Sequence, residues 1–279
     1  MTSVLSARGA ATRRPTRRTT LTRPSGLGLG VAVLWFSLLV LLPLAAVVAT
    51  AVAGGWSGFV TTLTHPQTAA AIALTLGQAL LVTLVNVVVG TIIAWVLVRD
   101  RFRGKAILEV VIDVPFALPT IVAGLVLLAL YGPSSPIGVD VANTRTAVFL
   151  AFAFVTLPFV VRTVQPVLME LDREVEQAAH SLGASALTTF RRIVLPALMP
   201  AIAAGAALSF ARAVSEYGSL VLISGNLAQR TEVTSVRILT YVENGDLAAA
   251  SVVATVLLAV ALVVIVAFDL LQRRVVRHV

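Results

Sequence analysis

Apolar residues gather into six long runs, roughly 27–53, 70–98, 107–131, 146–168, 197–223 and 247–270, and most charged residues fall between them. Val31–Val48 and Leu247–Phe268 hold no charged residue at all. At about 1.5 Å per residue, runs of this length cross about 30 Å of hydrocarbon as helices. The third run begins poorly, with Glu109 and Asp113 in its first turns, and only Val114–Leu130 is free of charge. The fourth is interrupted by Pro158, which membrane helices tolerate where neighbours satisfy the freed backbone groups. The pattern predicts an all-α, polytopic membrane protein with six spans.

Composition agrees: 58% of the 279 residues are hydrophobic and 12% charged, against about a quarter charged in soluble domains. There is no cysteine, which excludes disulfides and thiolate chemistry. His65, His180 and His278 lie far apart, so no metal centre and no catalytic group is expected. Lys105 is the only lysine and follows Gly104. A phosphate-binding P-loop would need glycine where Arg99 stands and Ser or Thr where Ala106 stands. The chain has no ATP site of its own.

The net charge of +8 would suggest nucleic acid in a soluble protein, but here it reports topology. Six arginines precede the first span. Four basic residues lie in 99–106, four between the end of the charge-free Ala147–Val161 and the fifth span (Arg162, Arg173, Arg191, Arg192) and three after the sixth. The other connections hold none, one (Arg145) and two (Arg230, Arg237). The positive-inside rule then puts both termini in the cytoplasm. The expected organisation is an Arg-rich tail over 1–26 that binds anionic lipid, a permease domain over 27–270 and a tail over 271–279. A cleaved signal peptide ending near Ala51-Val52-Ala53 is the rival reading of the N-terminus, but Leu27–Ala53 exceeds a secretory apolar core of about 7–15 residues.

One cytoplasmic stretch, 169–196, has a pattern of its own. Asp172 is placed to cap a helix whose first turns carry Glu174 and Glu176, where negative charge is favoured. Val175, Ala178, Ala179 and Leu182 recur on one face. Gly183 suits a left-handed stop. Ser185 is placed to cap a second short helix with Leu187 and Phe190, and Pro196 to open the fifth span. A narrow, alanine-rich face flanked by acids fits a groove on a partner protein, and the alternative is a helix lying on the membrane surface.

Gln177-Ala178-Ala179, three residues, Gly183, nine residues, then Ile193-Val194-Leu195-Pro196 resembles the signature loop of permease subunits in binding-protein-dependent ABC importers. That pattern has Glu where Gln177 stands, and here Glu176 is one residue earlier. The resemblance implies the type I importer permease fold, with Glu176, Gln177, Ala178, Ala179, Gly183, Ile193, Leu195 and Pro196 forming a coupling helix seated on a separate ATP-hydrolysing subunit that uses ATP and Mg. It also implies a homologous second permease (W-type), a dimer of ATP-binding subunits and a binding protein docking on 54–69, 132–145 and 224–246, all at the cytoplasmic (inner) membrane. Leu157–Leu168, Phe210–Ser219, Ile223–Asn226 and Tyr131–Gly138 resemble the sulfate/thiosulfate branch of that family. The molybdate/tungstate branch shares the loop. An ion-coupled secondary transporter would need more acids at mid-membrane than Glu216.

Arg212 and Glu216 fall inside the fifth run, four residues apart and so on one helix face. With Tyr217 and Gly218 they are candidates for the translocation path or gate. A structural ion pair is the competing reading, since charges at this depth need partners. Asp113, near Pro115 and Pro119, reads as a solvated acid at a kinked helix end. Gly77, Gly90 and Gly124 are expected to let helices approach closely.

Overall fold

The computed structural model describes residues 23–276, so the arginine-rich tail before Arg23 and the last three residues lie outside it. The described chain is helical with short connections. Helix α1 (Arg23–Phe36) continues through a π-helical turn, Ser37–Leu41, into α2 (Leu42–Ala53), forming one apolar span over Gly26–Ala53. Its residues 23–46 separate from the rest as a unit of their own.

In the second unit, α3 (Gly55–Thr64) and His65 precede α4 (Pro66–Arg99), started by Pro66 in its first turn. Then come α5 (Lys105–Ala117), α6 (Thr120–Tyr131) and α7 (Arg145–Glu170). A short helix, α8 (Arg173–Ser181), and the helical turn α9 (Ala186–Thr189) form an elbow. A π-helical turn, Phe190–Val194, carries α9 into α10 (Leu195–Val214), and α11 (Gly218–Ile223), α12 (Thr234–Glu243) and α13 (Leu247–Val276) follow.

Four of the six expected spans are single long helices with nearly the expected bounds. The third and fifth differ. The third is two helices, α5 and α6, bent by 118° at Leu118-Pro119. Pro119 lacks the N–H that would continue the helix and disfavours helical geometry at Leu118, which is extended. The fifth does not begin at Pro196: one helix runs Ala186–Val214, so α9 is its first turn rather than a separate helix. It also stops at Val214, short of residue 223.

The bundle is centred on α7, which packs along α4 and α10, with α13 on the far side of α10. Its core is two apolar clusters separated by a polar layer. At the elbow end Leu97, Val160, Val161, Val164, Leu168 and Leu198 are buried together. At the opposite end Val82, Val148, Phe152, Phe210, Leu220 and Ile223 are. Between them Asn86 Nδ2 donates to Thr156 Oγ1 at 2.8 Å, and Thr156 Oγ1 donates back to the Phe152 carbonyl at 2.7 Å. Lipid is as apolar as these side chains, so close fit and internal hydrogen bonds hold the helices together. Leu80, Leu84 and Val88 on α4, and Leu262, Val263 and Val266 on α13, are exposed, as membrane-facing positions should be.

Of the three glycines expected at close approaches, two are so placed. A Cβ at Gly90 would lie 2.9 Å from the Val160 side chain, and one at Gly124 would lie 2.5 Å from the Ser219 carbonyl oxygen. Gly77 meets nothing within 4 Å, so its role is not helix contact. Gly124→Ala should therefore destabilise the chain by about 1–3 kcal/mol, because backbone cannot yield as a side chain does. Gly77→Ala should not. Thermal unfolding of the two variants in detergent distinguishes them, and equal midpoints would contradict the assignment.

Candidate functional site: a capped elbow and four charge pairs

The elbow is shaped by local chemistry. Asp172 Oδ1 accepts from the Glu174 N–H at 2.8 Å and caps α8. Gly183 has φ +86°, where a side chain would be strained. Its N–H donates to the His180 carbonyl at 2.9 Å, and the Ala184 N–H to the Ala179 carbonyl at 3.0 Å. This pair of bonds is a Schellman stop, which turns the chain sharply while satisfying the last carbonyls. Ser185 Oγ accepts from the Thr188 N–H at 3.2 Å and starts the next helix. Val175, Ala178, Leu182 and Leu187 are left exposed, with Leu182 at 90% the extreme.

The elbow is also pinned. Glu176 pairs with Arg99 at the end of α4, and both side chains are largely buried, at 19% and 10% exposure. The Arg99 guanidinium lies over the Trp95 ring, 5.5 Å from its centroid. Trp95 meets Phe190 edge to face at 5.6 Å. Glu176 thus turns inward, while Gln177 and Ala178 face out. Ile193, Leu195 and Pro196 are half-buried in the root of the long helix, with Leu195 packed on the elbow-end cluster. His180 Nδ1 lies 3.1 Å from the Ala184 carbonyl, within the elbow itself.

Arg212 and Glu216 do pair: Nη2 lies 2.6 Å from Oε2. They do not share a continuous helix, because α10 ends at Val214 and Glu216 sits in the break before α11. The Glu216 side chain is fully buried. Its Oε1 accepts from the Ser219 N–H at 2.9 Å and the Ser219 hydroxyl at 2.7 Å, and its backbone carbonyl accepts from Ser235 Oγ at 2.6 Å. Gly218 lies hard against Thr120, so the break in the fifth span closes on the break in the third. Arg212 and Tyr217 remain partly open, at 27% and 39% exposure.

Asp113 is not a lone solvated acid. Arg162, which the charge count places in a connection, lies within α7 and grips it through two nitrogens, with Nε to Oδ1 at 2.7 Å. The same guanidinium donates to Gln165 Oε1 at 2.8 Å and to the Glu109 carbonyl at 3.2 Å. Asp113 is eight residues from the start of α5 and Arg162 eight from the end of α7. That places both about 12 Å along their helices from the elbow end, at about 1.5 Å per residue. Arg237, which the charge count places in a connection, is buried beside Glu232 at 3.8 Å and lies over the Tyr241 ring, whose hydroxyl is 2.7 Å from Thr68 Oγ1. Burial pushes the Glu232 carboxyl up from its ordinary value, and nearby Arg237 only partly offsets this.

Residues 86–279 match the family described as "Binding-protein-dependent transport system inner membrane component". The chain is 43% identical over 263 residues to the sulfate transport system permease protein CysT of Salmonella typhimurium, covering 90% of this chain and 95% of that protein. It is 44% identical over 250 residues to the CysT protein of Synechocystis sp., covering 87% of each. The fold resembles that of a bacterial alginate ABC transporter solved with an alginate pentasaccharide-bound periplasmic protein. The TM-score is 0.74 over 90% of this chain and 94% of that one, at 17% identity. The chain belongs to the binding-protein-dependent transport-system inner-membrane component family, the permeases of ABC importers.

Proposed function

We propose that this chain is one permease of a sulfate/thiosulfate ABC importer, paired with a homologous W-type permease and driven by a dimer of ATP-binding subunits that use ATP and Mg. The elbow end then faces the cytoplasm, with both termini. A binding protein for the anion docks at the opposite end. The substrate is taken from the relatives, which are sulfate permeases at over 40% identity across most of their length. The observation that carries the mechanical reading is the elbow: two capped helices offering Val175, Ala178, Leu182 and Leu187 outward while Glu176 is held from behind by Arg99.

An apolar patch of small and medium side chains on a rigid turn is suited to a groove in a partner. Closure of the ATP-binding pair would move the elbow, and the Arg99, Trp95 and Phe190 contacts would carry that motion into α4 and α10. Alternating access would follow as rigid-body tilting of the bundle. Within the path, we read Glu216 as a clamp on the helix break, since Arg212 and Ser219 occupy its carboxylate. Arg212 and Tyr217, both partly open, are the groups there able to meet a passing anion.

Ala178→Trp should abolish binding-protein-stimulated ATP hydrolysis and sulfate uptake in the reconstituted transporter while leaving membrane insertion intact. Retained uptake would contradict the docking assignment. Separately, Glu176→Gln should cost about 1–3 kcal/mol of elbow anchoring. ATP turnover should then persist with less sulfate moved per ATP, and the exchanged pair Arg99→Glu with Glu176→Arg should recover part of the loss. Competition in the uptake assay separates the branches: sulfate and thiosulfate should displace label where molybdate does not.

A further inference from the structure

At the end opposite the elbow, a cleft of about 310 Å³ lies between α4, the start of α7 and the turn before α12. Ala70, Ala73 and Gly77 open it by their small size, and Gln78, Arg145 and Gln229 supply its polar groups. No Asp or Glu lines it. Its volume is several times the roughly 30 Å³ that a water occupies in the liquid, enough for a tetrahedral oxyanion with part of its hydration shell. We propose that this cleft is the receiving subsite for the anion as it leaves the binding protein, an inference that rests on the sulfate reading above and adds a site to it.

The polar groups are arranged for that chemistry. Arg145 is the first residue of α7, so its guanidinium joins the positive end of a 26-residue helix. Nε donates to the Arg230 carbonyl at 3.3 Å, so this bond does not use the terminal nitrogens, which suit oxyanions. Gln78 Oε1 is buried without a hydrogen-bond partner. The amide of Gln78, which lines the cleft, carries two N–H donors.

Gln229 is held over the cleft by an over-determined turn. The Leu227 carbonyl accepts from the N–H groups of Arg230, Thr231 and Glu232 at 2.9–3.0 Å, and the Leu227 N–H donates to Thr231 Oγ1 at 3.0 Å. Gln229 itself adopts φ +60°, uncommon for a residue with a side chain. Strain of this kind persists where the surroundings enforce it. One cation and two neutral amides, with no second arginine lining the cleft, make a site that holds a dianion weakly, as transit requires.

The test uses the complete transporter in proteoliposomes with radiolabelled sulfate, measuring sulfate moved per ATP hydrolysed and the binding-protein concentration that half-saturates ATP hydrolysis. Arg145→Gln and Gln78→Glu should each lower sulfate per ATP about tenfold, the loss expected for a charge-assisted contact. Arg145→Lys should recover part of it. An unchanged ratio in Arg145→Gln overturns the subsite. So does an Arg145→Gln variant that only raises the half-saturating binding-protein concentration, because Arg145 would then be a protein-docking contact. Failure of the unmodified transporter to move sulfate would instead overturn the substrate reading.

Discussion

A short amphipathic turn on the surface of a membrane protein transmits nothing unless it is fixed to the bundle, and here the fixture is the pair Glu176–Arg99. The two side chains are 81% and 90% buried, so the pair is shielded from the solvent that weakens surface ion pairs. Arg99 ends a 34-residue helix, the longest of the described elements. Trp95, one turn earlier, lies beneath the guanidinium and against Phe190 at the root of α10. A displacement of the elbow therefore reaches two long helices at once. One is reached through charge and the other through ring packing.

The second constraint is that backbone breaks inside a membrane need internal partners. The chain breaks its third span at Leu118-Pro119 and its fifth at Ser215–Tyr217, and the two breaks pack against each other, while the fifth finds its partners in Ser219 and Ser235. Glu216 takes over the amide and hydroxyl of Ser219, and Ser235 bonds the Glu216 carbonyl. Gly124 and Gly218 allow α6 and α11 to touch backbone to backbone. A carboxylate is costly at this depth, and its cost is offset by Arg212 and by the helix break that it holds in place.

What could be read from the sequence was what is decided locally. Asp172, Gly183 and Ser185 shape the elbow through bonds to residues within five positions, so their roles follow from residue type and spacing. Span lengths follow from hydropathy for the same reason. The misjudged features depend on distant neighbours. Pro119 marks where a bend is permitted but not its 118° angle, and α6 packs on α11, which is distant in sequence. No proline or glycine marks the end of α10 at Val214, and Ser235, which bonds the Glu216 carbonyl in the break, is 19 positions away from it. Arg99 and Glu176 are 77 positions apart, and Asp113 and Arg162 are 49 apart, so neither pairing has a sequence signal beyond complementary charge. At Gly77 the sequence points to a helix contact, as glycine in a membrane helix often does. Here it opens a cleft.

The lack of native cysteine allows the rigid-lever account to be tested by a single distance. Spin labels on Leu182→Cys in the elbow and Val88→Cys on the exposed face of α4 report whether the two move together in the complete transporter with and without trapped nucleotide. The account predicts one unchanged distance distribution in both states, while labels on the elbows of the two permeases approach one another. A distribution that shifts or broadens between Leu182 and Val88 on nucleotide trapping would show the elbow swinging free of α4 and would contradict it.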